Sequence, residues 1–238
     1  MSPSARQGRR DPFGVVVVAA GSGRRLGAEV PKAFVTLAGG PLLEYAVRSA
    51  LAAGPVAVVV AAPPSHVDEA IEVVEPLSRE HGIPVQVVPG GVERGDSVLA
   101  GMRWLPAECE VVLVHDAARA LAPPVLFRMV AAAVALDRPA VVPSLPVVDT
   151  IKRVDGNLVV ATLDRESLRI VQTPQGFRRD VLLAAHATHG SLATDDAGLV
   201  ERLGVPVRVV DGHPAAFKIT TPEDLLRAER LVADAARD

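Results

Sequence analysis

A single cysteine, Cys109, in 238 residues removes several explanations at once. It offers no internal disulfide, no cysteine-based zinc cluster and no redox pair, so the thiol reads as a buried structural one. Neither sign of charge is in excess. With 25 Lys and Arg against 28 Asp and Glu the formal net charge is −3, and nothing in the chain as a whole pulls it towards nucleic acid or an anionic membrane. Any anion-binding site must be local. Long hydrophobic runs are missing too. The N-terminal MSPSARQGRRDP is basic and polar, and only about six apolar residues follow it, too few for a signal h-region or a membrane span. Residues 1–12 read as a disordered tail on a cytoplasmic protein.

Apolar residues make up 49% and charged residues 22%, a balance that suits one large domain over residues 13–238. Short apolar runs recur at 14–20, 56–62, 84–90, 110–116 and 140–146. Runs rich in β-branched residues, without polar alternation, suit strands buried on both faces, hence a mostly parallel sheet covered on either side by helices. The fold class is α/β with three layers. PLLEYAVRSALAAG (41–54) and PPVLFRMVAAAVAL (123–136) read as covering helices, the second opening on prolines that suit a first turn. After residue 146 the rhythm changes. Two extended segments around Asp155-Gly156-Asn157 predict a protruding β-hairpin arm at about 146–166, whose valines need a covering surface that a second subunit would provide. The closing TPEDLLRAERLVADAARD predicts a helix with Thr221 as N-cap and Asp224 in the capping-box position.

The chemistry sits at strand ends. VVVVAAGSGRRLGAEVPK (15–32) places Gly21, Gly23 and Gly27 at offsets 0, 2 and 6, where a dinucleotide fingerprint needs 0, 2 and 5. A phosphate-binding P-loop needs Lys directly after its last glycine, but Ala28 and Glu29 follow Gly27. What remains is a strand-end loop with exposed amides and the cations Arg24, Arg25 and Lys32, which suits a polyphosphate. VVLVHDAARAL (111–121) brings Asp116 to the same sheet edge, as a Mg²⁺ ligand or, on the blander reading, as a cap paired with Arg119. PGGVERGDSVLAGM (89–102) offers Gly90 and Gly91 for close approach to a flat base, and Ser97 as a base contact or a simple N-cap. Lys218, between Phe217 and Ile219, is a cation in an apolar setting that demands an anionic partner.

Taken in order, AAGSGRRLGAEVPKAF, RGDSVLAG, VHDAAR, DTIKRV, TPQGF, TDDA and FKITTPEDL resemble the 2-C-methyl-D-erythritol 4-phosphate cytidylyltransferases of the non-mevalonate isoprenoid pathway, over residues 13 to 235. The resemblance implies a Rossmann-like nucleotidyltransferase fold, CTP and the polyol phosphate as substrates, and Mg²⁺ or another divalent cation. It places Arg25 and Lys32 on the triphosphate, with Lys218 also catalytic and among the residues that hold the acceptor phosphate. Asp116 would hold the metal. Ala19, Ala20, Gly21, Gly23, Gly91 and Ser97 would surround the nucleotide, and Thr150, Arg165, Thr173, Thr194 and Arg119 the acceptor. In this family the arm reaches across a homodimer. Two departures stand out: Val92, where many members carry an acidic residue, and Ala216, where many carry Asn. A cytidylyltransferase for another polyol phosphate, such as ribitol 5-phosphate, is the alternative reading, and a catalytically silent nucleotide-binding protein the rival from another class.

Overall fold

A computed structural model of the chain describes residues 12–21, 30–135, 137–189 and 195–237. Its strands are β1 (Phe13–Val18), β2 (Thr36–Leu37), β3 (Gly40–Pro41), β4 (Ala57–Ala62), β5 (Val85–Pro89), β6 (Val111–Asp116), β7 (Ala140–Pro146), β8 (Lys152–Asp155), β9 (Leu158–Thr162), β10 (Arg169–Val171), β11 (Gln175–Arg178) and β12 (Val207–Asp211). Its α-helices are α1 (Leu42–Leu51), α2 (Val67–His81), α3 (Arg94–Met102), α4 (Pro124–Ala133), α5 (Arg179–His189), α6 (Asp196–Arg202) and α7 (Pro222–Ala235).

The main sheet runs β10-β7-β11-β6-β1-β4-β5, with β12 paired to the other side of β7's ladder. β5, β4, β1 and β6 are mutually parallel, β12 is parallel to β7, and β10 and β11 run against their neighbours. The valine runs explain the layering. Val15 and Val17 of β1 enter one core with α1, α2 and α4, while Val16 enters the other with α3, α5 and α6. Each such fully buried side chain contributes about 1.5–3 kcal/mol of transfer free energy. That is why these strands carry no polar alternation.

The chain order then locates the site. From β1 it passes to β4 and β5 on one side, and returns to β6 on the other. Ligands in open α/β sheets bind outside the strand ends at such a reversal, here after Val18 of β1 and Asp116 of β6, which are registered neighbours. Helix α3 closes on that edge because Gly101 lets its backbone lie against β1: a Cβ there would stand 2.5 Å from Val16 Cγ1.

The hairpin is a separate two-stranded ribbon, β8 with β9, turning at Gly156-Asn157 with Gly156 at φ +55°. Its apolar side chains are exposed in this chain: Val154, Leu158, Val159 and Val160 all lie open. Thr221 caps α7 as expected, with Asp224 completing the capping box. Ser97 does not cap α3. It lies inside the helix, and Glu93 holds the N-cap position, its N–H donating to Asp96 Oδ2 at 3.1 Å. Cys109 is buried, as its composition class suggested. Among the described residues no helix is long and apolar enough to cross a membrane.

Candidate active site

A cleft of about 320 Å³ opens at the ends of β1 and β6. Ala19, Ala20 and Gly21 form one wall, Gly91, Val92 and Ser97 another, and Lys32, Asp116 and Lys218 reach in from three separate segments. The walls are built by backbone ties. Ala19 N–H donates to Ala61 O at 2.9 Å and Ala117 N–H to Val18 O at 3.1 Å, extending the strands past their last residues. Lys32 opens a short 3₁₀ turn, Lys32–Phe34, and its N–H reaches Gly21 O at 3.4 Å, closing the base of the loop.

Gly90 and Gly91 must be glycines here. A Cβ on Gly90 would come within 2.8 Å of Ala20 Cβ, and one on Gly91 would overlap Asp96. The Ser97 hydroxyl accepts from Gly91 N–H at 3.1 Å, so from within α3 it pins the loop. Val92 projects from this loop almost wholly into solvent, 97% exposed. The side chain at that point is apolar and carries no charge, while Glu93 beside it also lines the cleft.

Asp116 is the electrostatic centre. Its Oδ2 accepts from Lys218 Nζ at 2.8 Å, and its Oδ1 from Arg94 at 3.3 and 3.4 Å. Burial pushes the carboxyl up, but Arg94 and Lys218 outweigh it and hold the group well below the usual carboxylate range. Lys218 arrives from far along the chain because Ile219 N–H donates to Ala118 O at 2.9 Å, and Ile219 is buried with Leu37, Leu42 and Ala228 of α7. The apolar setting that its neighbours Phe217 and Ile219 predict is not found, because the Lys218 side chain is 44% exposed at the cleft mouth; its anionic partner is Asp116.

A second cleft of about 170 Å³ shares Arg94, Asp116 and Lys218 with the first and adds Arg119, Thr173, Gln175 and Asp195. Arg119 does not pair with Asp116. Its guanidinium donates to Ala216 O at 2.8 Å and Val171 O at 3.1 Å, which sets it beside the second cleft. The Ala216 side chain is buried, and it is the main-chain carbonyl at that position that holds Arg119, so this contact is independent of the Asn-to-Ala departure. Thr173 Oγ1 accepts from Asp116 N–H at 3.0 Å and bonds His115 Nδ1 at 3.0 Å. His115 is fully buried against Phe127, and burial pushes its pKa down to about 3, leaving it neutral.

Lys32, Lys218, Ala19, Ala20, Gly21, Gly91, Ser97, Asp116, Arg119 and Thr173 are thus brought together around the two clefts. Thr150 and Arg165 are exposed on the arm and line neither; Arg165 donates to Val148 O at 2.9 Å. Gly23, Arg24, Arg25 and Thr194 lie outside the described residues. Arg94 and Asp196 escaped the sequence reading. A signal existed for Arg94: it is the first residue of α3, where the helix dipole disfavours a cation unless carboxylates answer it.

Among the described residues, no group of three or more His, Cys, Asp or Glu side chains gathers into a cage for a metal. One strongly acidic carboxylate at the cleft wall is nonetheless the donor set that Mg²⁺ commonly uses, since it keeps waters and completes its shell with substrate phosphates. Asp116 fits that role.

The model of the family 2-C-methyl-D-erythritol 4-phosphate cytidylyltransferase matches residues 13–234. A protein of that name from Saccharopolyspora erythraea is 53% identical over 222 residues, 92% of this chain and 98% of the relative. One from Nocardia farcinica is 52% identical over 219 residues, 91% of this chain and 92% of the relative. The crystal structure of 2-C-methyl-D-erythritol 4-phosphate cytidylyltransferase from Thermus thermophilus superposes with a TM-score of 0.74 at 37% identity, covering 93% of this chain and 99% of its own. A 4-diphosphocytidyl-2C-methyl-D-erythritol synthase from Anaerococcus prevotii gives a TM-score of 0.81 at 25% identity over 94% of this chain and 100% of its own.

Proposed function

The chain belongs to the 2-C-methyl-D-erythritol 4-phosphate cytidylyltransferase family, and from that premise we propose how its residues divide the work of the reaction. CMP passes from CTP to 2-C-methyl-D-erythritol 4-phosphate, giving 4-diphosphocytidyl-2-C-methyl-D-erythritol and pyrophosphate for isoprenoid biosynthesis. The observation that carries the division of labour is the wall of Arg94, Asp116 and Lys218 common to both clefts. The larger cleft takes CTP and the smaller takes the acceptor phosphate, so that the two reactants meet across these three side chains.

An acceptor phosphate oxygen forms a bond to the α-phosphorus as the bond to the β-phosphate oxygen breaks, and pyrophosphate leaves with that oxygen. The phosphate monoester is already a competent nucleophile near neutral pH, so no strong general base is needed and His115, buried and neutral, takes no proton. The barrier is repulsion between anions. Lys32, with Arg25, is assigned to the triphosphate, and Lys218 to the transferring α-phosphate. Ala19, Ala20, Gly21 and Gly23 border the nucleotide through main chain, while Gly91, held by Ser97, faces the base. Arg119, Thr173 and Thr194 hold the acceptor. A divalent cation such as Mg²⁺, held by Asp116 and the donor phosphates, supplies Lewis-acid neutralisation of charge when bound.

The arm is assigned to a homodimer. Val154, Leu158, Val159 and Val160 are open to solvent on a ribbon too small to bury them itself, and a second copy that covered them would carry Thr150 and Arg165 to the neighbouring acceptor cleft. Sedimentation equilibrium is expected to give a dimer, with Leu158→Asp and Val160→Asp together producing a monomer of reduced acceptor affinity. A wild-type monomer would sink this assignment. A cytoplasmic location, where nucleotide triphosphates are at hand, belongs to the same reading.

An acceptor such as ribitol 5-phosphate is not favoured, because relatives at about half identity over nine-tenths of this chain bear the methylerythritol name. Pyrophosphate release across a grid of nucleoside triphosphates and polyol phosphates tests the activity directly. The expected result is turnover with CTP and 2-C-methyl-D-erythritol 4-phosphate far above every other pair. Preference for another acceptor would refute it.

A further inference from the structure

Arg94 joins two carboxylates that belong to different parts of the fold. Its Nη1 donates to Asp196 Oδ2 at 2.5 Å, while Nε and Nη2 donate to Asp116 Oδ1. Asp196 is fully buried at the start of α6, and His186 Nε2 of α5 bonds its other oxygen at 3.0 Å. With both oxygens engaged, Asp196 is a fixed post. The run His186, Asp196, Arg94, Asp116, Lys218 is therefore continuous from α5 to the cleft wall. Burial disfavours the Arg94 charge, yet Asp196 and Asp116 more than compensate and raise its pKa.

We propose that Arg94 is a positioning residue for the reaction: its guanidinium braces Asp116 against the buried Asp196–His186 pair, so that Oδ1 is fixed and the carboxylate is held at the cleft wall with Oδ2 beside Lys218. The side chain lines both clefts and therefore sits where the two substrates meet. Only a fork can do this. A guanidinium offers separate N–H groups to two carboxylates in a rigid plane, whereas an ammonium is a point donor on a flexible stem. The proposal rests on the reading that Asp116 holds the divalent cation.

The test compares Arg94→Lys, Asp196→Asn and their combination with Asp116→Asn, all in the full chain. Mn²⁺ affinity of the enzyme–CTP complex, without acceptor, is read by electron paramagnetic resonance, alongside kcat and the thermal midpoint. Arg94→Lys and Asp196→Asn are each expected to weaken Mn²⁺ binding about tenfold and lower kcat about 10–100-fold, as loss of an orienting partner does at metal sites. The combination is expected to be no worse than Arg94→Lys alone, because both changes cut one brace. Wild-type Mn²⁺ affinity in both single variants, or independent additive losses, would overturn the proposal. Should Arg94→Lys fail to fold, Asp196→Asn decides alone, since Arg94 and Asp116 remain in it. Normal Mn²⁺ binding by Asp116→Asn overturns the reading of Asp116 itself, and the proposal with it.

Discussion

Lys218→Ala is expected to lower turnover by at least about a hundredfold while leaving the protein folded, the scale on which removal of a charge-stabilising donor acts. Lys218 Nζ stands 2.8 Å from Asp116 Oδ2 and, unlike Lys32, lines both clefts. Its loss leaves the five-coordinate phosphorus without a neutralising charge at the point of attack. Folding is spared for three reasons. The side chain is 44% exposed, Asp116 keeps Arg94, and the segment is anchored by the buried Ile219 rather than by the lysine. Lys32→Ala is expected to lose about as much, since its charge serves the triphosphate from which pyrophosphate departs. Single-turnover pyrophosphate release and circular-dichroism melts check both. Wild-type rates in either variant would remove that lysine from the mechanism.

Asp116→Asn is expected to cost about a hundred- to a thousandfold in kcat, again the scale of a lost electrostatic contact at the reacting centre. The direction of its effect on binding is opposite. Asparagine keeps the shape but removes the anion that holds Lys218 and Arg94, so CTP without metal is expected to bind at least as tightly as before. Turnover falls because the cation has lost its protein ligand and Lys218 its alignment. Calorimetric titration with CTP, with and without Mg²⁺, separates the two. A variant that loses metal-free CTP affinity in proportion to kcat would show that Asp116 acts on the nucleotide directly and not through the cation and Lys218.

The strands were legible because burial on both faces leaves a continuous valine run: β4 and β6 fall within the stretches where those runs occur, and β1 begins one residue before its run. Helices α1, α4 and α7 announced themselves by spacing, prolines and caps. Ser97 misled as a candidate N-cap because capping chemistry ranks side chains by type, while Glu93 takes that position here through its own N–H and Asp96. The same serine is used instead to pin Gly91. Arg119 beside Asp116 suggested a local ion pair, yet two distant carbonyls claim it.

The order of motifs along the chain was enough for the family, the fold class and the strand ends at which the two clefts open, because each depends on residue type and local spacing. Which charges meet there depends on long-range closure. Asp116 and Lys218 are 102 residues apart, as are Arg94 and Asp196, and no periodicity relates them. The sheet's reversal at β1, the approach of α3 allowed by Gly101, and the packing of Ile219 beneath α7 bring these groups within hydrogen-bond reach. A lone buried cation or carboxylate is costly, so its partner must exist; only the packed backbone decides which residue that partner is.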